Sequence, residues 1–159
     1  WRYRRWRPLG ATPEPSPWRI ALQTEAIVLT LYGLGLLLAP LTFTAFWPWM
    51  PDDFTGRLYS APFLAPAVGA WLLSGGATQI ERLTLGLTQL VLGLGPIAGV
   101  VSLDVVLHRV NWSSPGPWVW IGLFTLVALM GAGMVWRALA AGRAATPATG
   151  ATQREMVYG

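Results

Sequence analysis

Four long apolar stretches, separated by short polar or proline-rich segments, dominate the chain. A membrane-crossing helix needs about 20 mostly apolar residues, and each stretch reaches that length. Positions 26–39 and 119–135 carry no charge and lack the polar face that a helix in a water-soluble bundle needs. The pattern therefore predicts an all-α protein, a four-helix transmembrane bundle. The predicted spans are about 20–46, 54–74, 80–107 and 118–136.

Prolines modify three of these spans. Pro40 is expected to end or kink the first helix, because proline has no N–H to donate and its ring crowds the preceding turn. Pro62 and Pro66 fall inside the second span and Pro96 inside the third. Neighbouring helices in a membrane can satisfy the carbonyls that such prolines leave free.

Polar segments flank the transmembrane domain, which is predicted to cover residues 18–139. Residues 1–17 form a basic, proline-rich arm, expected to lie on the membrane surface or on a partner subunit. Residues 140–159 are rich in Ala, Thr and Gly and are expected to be a flexible cytoplasmic tail. Because the first residue is Trp1 rather than methionine, the chain is expected to be processed or to begin late.

Composition excludes several classes of protein. The chain has 159 residues, of which 53% are hydrophobic and 11% charged, whereas a soluble domain carries about 25% charged residues. With no cysteine and one histidine, disulfides, iron–sulfur clusters and multi-histidine metal centres are excluded, and no metal site is predicted. In a soluble protein, a net charge of +4 would indicate binding to nucleic acid. Here the arginines flank apolar spans, so lipid is the expected partner and nucleic acid is not.

The distribution of arginine predicts the orientation. All eleven basic residues are arginine, and a cytoplasmic N-terminus would leave only Arg57 and Arg109 outside. Basic residues concentrate on the cytoplasmic side of membrane proteins. Both termini are therefore predicted to be cytoplasmic, in a multi-pass protein of the bacterial inner membrane. Tryptophans near the span ends are expected to anchor in the two membrane interfaces. These anchors are Trp47, Trp49, Trp118 and Trp120 outside, and Trp18 and Trp136 inside.

Polar residues at the outer ends of spans 2 and 3 form the first candidate site. Asp53 and Arg57 are four residues apart, as are Asp104 and His108, so each pair shares a helix face. We predict an interhelical polar cluster in which Asp104 contacts Arg57 or His108. It could be an ion pair joining two helices, a proton-relay or ligand site, or a set of side chains that reach solvent.

Three further features carry candidate chemistry. His108 could be the single axial ligand of a haem or chlorophyll, although the sequence requires no cofactor, and bound lipid is expected. Glu25 and Arg82 are predicted to pair at the inner face, and Gln89 to hydrogen-bond across helices. The small residues Gly95 and Gly99 are four apart, a spacing that lets helices approach closely, within the bundle or against another subunit.

A central segment of the chain resembles a group of uncharacterised bacterial multi-spanning membrane proteins. It contains a Trp-Pro-Trp corner at 47–49, a Thr-Gly-Arg sequence at 55–57, and Gly-Ala-Trp at 69–71. In that group a similar corner leads into a Thr-x-Arg start of the next span. The resemblance covers roughly Phe46 to Arg82 and departs where members often have Pro-Leu-Thr and this chain has Asp-Phe-Thr. It implies a bacterial integral membrane protein and no particular activity.

No nucleophile with a base partner and no phosphate-binding loop occurs in the sequence, so we predict no enzyme activity. The expected function is that of an accessory or structural subunit of a larger membrane complex, such as a respiratory or photosynthetic one. The alternative is a small transporter or channel component that works as a homo-oligomer. A third interpretation is an enzyme acting on lipid or quinone, for which the outer polar cluster is the single candidate active site.

Overall fold

The computed structural model describes residues 10–49, 51–108 and 110–144. About 80% of these residues are helical and none lies in a strand, which confirms the all-α class. The described residues form six helices: α1 (Ser16–Leu38), α2 (Pro40–Phe43), α3 (Asp53–Leu58), α4 (Ser60–Leu73), α5 (Gln79–Leu107) and α6 (Pro115–Ala144). Helices α1, α5 and α6 are each long and apolar enough to cross a membrane.

The first predicted span consists of two helices. Helix α1 ends at Leu38, where Ala39 leaves the helical conformation (φ −139°) and Pro40 begins α2. A residue that precedes proline is disfavoured in the α conformation, which explains the break. The apolar pattern continues to Phe46 through a corner that is partly buried, at Pro40 and Thr44, and not through one continuous helix.

The second predicted span is also divided, with a break at Tyr59 between α3 and α4. Pro62 has no N–H for the carbonyl of Leu58, so the last turn of α3 cannot continue regularly. At 1.5 Å per residue, the 14 residues of α4 span about 21 Å, less than a hydrocarbon core of about 30 Å. Asp52 caps α3: the Thr55 N–H donates to it (2.6 Å) and holds the pKa of that exposed carboxyl below its usual value.

Local signals define α5, and α6 extends further than predicted. Thr78 and Glu81 form a capping box at the start of α5, which satisfies two free N–H groups. Helix α6 continues to Ala144, two turns beyond the predicted end at position 136. The alanine-rich sequence after Trp136 favours a helix and contains no proline before that end. Residues 140–144 of the predicted flexible tail are therefore helical, and positions 145–159 lie outside the described residues.

The helices pack as two hairpins, α1 with α4 and α5 with α6, and α4 contacts α5 much less extensively. Side chains between the hairpins form two buried clusters. One lies at the end that holds the α5–α6 loop, here called the loop end, and includes Leu36, Phe63, Trp120 and Phe124. The other lies at the end that holds residues 10–15, here called the arm end, and includes Leu22, Ala26, Leu85 and Met134.

The outward faces of the helices are apolar and exposed. Large side chains such as Leu31, Val91 and Leu126 are each more than 60% accessible. Water-soluble monomers rarely expose continuous apolar surfaces of this kind, whereas hydrocarbon makes them favourable. The distribution agrees with a protein whose helices face a membrane.

Candidate functional site

A buried carboxylate fixes the arm to the helices at the arm end. Glu14 is 7% exposed. Its Oε1 accepts a hydrogen bond from Nε of Arg82 on α5, and its Oε2 accepts one from Nη1 of Arg137 on α6 (2.7 Å). Arg82 also donates through Nη2 to the hydroxyl (2.6 Å) and the carbonyl oxygen (3.1 Å) of Thr12. One acid thus connects the arm to both helices of the second hairpin.

Backbone and ring contacts reinforce this attachment. Thr12 and Ala77 exchange two N–H···O hydrogen bonds of 3.1 Å. Gly76 between the hairpins has φ +143°, and a Cβ there would lie 3.0 Å from the Thr12 carbonyl oxygen. The Arg137 guanidinium lies 4.8 Å from the ring centre of Trp18, a cation–π distance. Positions 10–15 of the arm therefore pack on their own chain; positions 1–9 lie outside the described residues.

The predicted Glu25–Arg82 pair is wrong, because Arg82 is bound to Glu14 instead. Glu25 faces Gln89, which lies seven residues, or about 10 Å, further along α5. The signal that was missed is Glu14 itself, the single acid among the first 24 residues, in an otherwise basic segment. A lone acid in such a segment indicates an internal partner.

A second polar pair crosses between the hairpins near mid-span. Gln89 on α5 is fully buried, and its Nε2 donates to Glu25 Oε1 on α1 (2.8 Å). The predicted cross-helix hydrogen bond of Gln89 is thus formed, with Glu25 as acceptor. The remaining oxygens, Glu25 Oε2 and Gln89 Oε1, are buried and have no hydrogen-bond partner. Burying a polar atom without a partner is costly, so these two atoms require an explanation.

The predicted polar cluster at the loop end is not assembled. Asp104 accepts hydrogen bonds from the Val110 N–H (3.1 Å) and from Trp112 Nε1 (2.6 Å). It contacts neither Arg57 nor the imidazole of His108, so the predicted contacts are wrong. The reason is local: His108 ends α5 in a left-handed conformation (φ 47°), which turns the chain back so that the loop reaches Asp104.

The other predicted members of the cluster point to solvent. Arg57 pairs with Asp53 along α3 (3.0 Å), and each side chain is about half exposed. His108 is exposed at the end of α5, and a tetrapyrrole ligand there stays a prediction. Among residues 10–49, 51–108 and 110–144, no group of three or more acidic or histidine side chains could hold a metal ion.

Two of the predicted membrane anchors are core residues. Trp47 and Trp120 are buried, with ring centres 4.6 Å apart. Trp47 Nε1 donates to the Tyr32 hydroxyl (2.8 Å). The prediction is therefore wrong for these two, because the corner folds inward between the hairpins. Trp118 and Trp136 are exposed by 60% and 71%, as membrane anchors would be.

The remaining predicted anchors, Trp18 and Trp49, are half-buried. Trp18 lies beneath Arg137 at the arm end. Trp49 packs against Trp120 at the loop end, with ring centres 5.1 Å apart. Each ring thus packs against its own chain and leaves part of its surface exposed.

Close contact between α5 and α6 depends on glycines. These are not Gly95 and Gly99, whose four-residue spacing is typical of helix packing. A Cβ added at Gly93 would lie 2.6 Å from both the Phe124 oxygen and the Ala128 nitrogen, and Gly86 and Gly131 make similar backbone contacts. By contrast, Gly95 and Gly99 are exposed, and nothing lies within 4 Å of an added Cβ.

Comparisons with known proteins found no match to this chain among protein families, curated proteins or solved structures.

Proposed function

We propose that this protein is a bacterial inner-membrane protein that acts as a non-catalytic accessory or structural subunit of a larger membrane complex. In this proposal α1, α5 and α6 each cross the bilayer, and α3 with α4 provides a fourth crossing. The 21 residues from Asp53 to Leu73 would rise about 31 Å, close to the hydrocarbon thickness of about 30 Å. Four crossings would leave both termini on one side.

Charge supports a cytoplasmic position for the arm end. Arg19, Arg82, Arg137 and Arg143 all belong to helix segments at that end, while Arg57 lies at the loop end. Excess arginine favours the cytoplasmic side. The Glu14 network neutralises part of this charge and would hold the arm near the cytoplasmic headgroups.

One observation carries the proposed assembly role, namely the open glycine face of α5. Only 11% of the most apolar 18-residue window of α5 is buried. On its outward side, Gly95 and Gly99 have free space where a side chain would be, with Ala98 and Ser102 beside them. Small residues at four-residue spacing let a second transmembrane helix approach closely. We propose that a helix of another subunit packs there.

Lipid is the other proposed partner. A groove of about 360 Å³ between α1 and α4 is lined by apolar side chains including Ile27, Leu31, Val68 and Trp71. An acyl chain matches this lining, since it is apolar apart from the Thr30 hydroxyl and the Trp71 indole N–H.

The alternative of a transporter or channel component depended on a shared site of Arg57, Asp104 and His108. These three side chains lie apart, since Arg57 pairs within α3 and Asp104 binds the α5–α6 loop. The transporter alternative is then supported only by the prolines inside helices α4 and α5. We therefore favour the subunit role.

The test is affinity purification from native membranes with the double variant Gly95→Ile/Gly99→Ile. We expect the wild-type chain to retain partner polypeptides in constant ratio and the variant to lose most of them, because its new side chains fill the gap at the helix contact. Gly122→Ile is the matched control, since it too has nothing within 4 Å but is flanked by Trp118 and Leu126. Purification of this polypeptide alone, or retention of partners by the double variant, would contradict the proposal.

A further inference from the structure

The Glu25–Gln89 pair is an acid and an amide that lie between apolar helices. Gln89 is fully buried, and Glu25 is half-buried with its Oε2 atom inaccessible. The buried positions one turn away are Leu22 and Leu29 on α1 and Leu85 and Gly93 on α5. Glu25 lies nine residues, or about 14 Å, from the start of α1, so in the proposed membrane-crossing arrangement it lies inside the hydrocarbon core. A charge at that depth is rare unless it is paired with an opposite charge or faces water.

Among the described residues, no arginine forms an ion pair with Glu25. Of the other helices, α4 contains no charged residue. Arg19 is six residues below Glu25, about 9 Å, and Arg82 is seven residues below Gln89, about 10 Å. Arg82 is also already bound to Glu14. The remaining charged or titratable groups of the packed helices lie at their ends or towards the loop end: Tyr32, Glu81, Asp104, Arg137 and Arg143.

The hydrogen bond between the two side chains leaves two acceptor oxygens without a donor. Gln89 Nε2 donates to Glu25 Oε1 (2.8 Å), and both Glu25 Oε2 and Gln89 Oε1 are buried without a partner. A carboxylate has only acceptors, whereas a protonated carboxyl has one O–H donor. One proton on Glu25 Oε2 therefore supplies the missing donor, and Gln89 Oε1 is the unused acceptor of the same partner side chain.

We infer that Glu25 and Gln89 form a proton-binding site between the two hairpins. At neutral pH Glu25 is a neutral carboxylic acid that donates to Gln89 Oε1 and accepts from Gln89 Nε2. A proton fits the site better than a metal cation, because hard cations take about six or more oxygen ligands and the Glu25 and Gln89 side chains together offer two free oxygens. The inference is independent of the proposed assembly role, since it concerns side chains within one chain.

Infrared spectroscopy of the full chain in lipid vesicles tests the inference, because a protonated carboxyl has a carbonyl band distinct from carboxylates and amides. Exposed acids, with ordinary pKa values of about 4, are ionised at pH 7. We expect the wild type to show one protonated-carboxyl band at pH 7, and Glu25→Gln to lose it. Asp53→Asn, at an exposed acid, is the control and should keep it. Gln89→Leu should shift the band, because the carboxyl loses its amide partner.

A second measurement needs no variant. An apolar carbodiimide reacts with protonated carboxyls inside membranes, and peptide mass mapping of the labelled wild type should find Glu25 modified ahead of the exposed acids. The inference fails if the pH 7 band is absent, if Glu25→Gln keeps it, or if labelling avoids Glu25. It also fails if sodium ions at neutral pH abolish the band, since the site would then bind a cation in place of the proton.

Discussion

Glu14→Ala is expected to lower the free energy of unfolding by about 3–5 kcal/mol, the usual cost of removing one partner of a buried ion pair. The substitution leaves Arg82 and Arg137 side by side without their shared acid. Both would lose a charge-assisted hydrogen bond and would repel each other. The arm would then depend on the two backbone hydrogen bonds between Thr12 and Ala77 and on those that Arg82 donates to Thr12, so we expect its attachment to weaken.

Thermal unfolding of the purified chain in detergent, followed by circular dichroism, measures this effect. The melting temperature should fall by on the order of 10 °C. Asp53→Ala is the matched control, because its ion pair with Arg57 is exposed and such pairs contribute about 0–1 kcal/mol. A fall after Glu14→Ala no larger than that of the control would mean that the network does not hold the arm.

The second large effect is expected for Gly93→Ala. The new methyl group would meet backbone atoms of Phe124 and Ala128 at 2.6 Å, and backbone cannot move aside as a flexible side chain can. Overpacking costs about 1–3 kcal/mol, and we expect the upper part of that range because α5 and α6 must separate along their length.

The control for this prediction lies two residues away on the same helix. Gly95→Ala introduces the same methyl group into open space and should leave stability unchanged or raise it by up to about 1 kcal/mol, since alanine is the better helix former. Chemical unfolding in detergent, with tryptophan fluorescence as the probe, compares the two variants. Equal stability of Gly93→Ala and Gly95→Ala would show that α5 and α6 are not in backbone contact.

The sequence predicts the helices well because hydrophobic length is a local property. The apolar runs locate α1, α5 and α6, and Pro40 marks the end of the first helix. The pattern does not show that the chain divides at Tyr59, because prolines are tolerated inside membrane helices and the break depends on one missing hydrogen bond to the Leu58 carbonyl. It also extends across the buried corner around Trp47, where apolar character reflects packing between hairpins.

Side-chain pairs are predicted poorly because they depend on which helix faces are apposed. The spacing of Asp53 and Arg57 correctly places them on one face, since that relation lies within one helix. The cross-helix pairs of Glu25 and Asp104 are wrong, because the register between helices is set by packing that no local pattern contains. Gly93, the glycine that touches α6, is likewise indistinguishable in sequence from Gly95, which faces outward.

The central claim is that the loop end and the arm end of this chain lie on opposite sides of a membrane, and single-cysteine labelling in cells tests it most directly. The natural chain has no cysteine, so Ser113→Cys at the loop end and Gly75→Cys at the arm end each introduce one thiol. In intact cells, a membrane-impermeant maleimide should label Ser113→Cys, and it should label Gly75→Cys only after the membrane is opened. Equal labelling of both thiols before the membrane is opened, or recovery of the chain in the soluble fraction, would contradict the account.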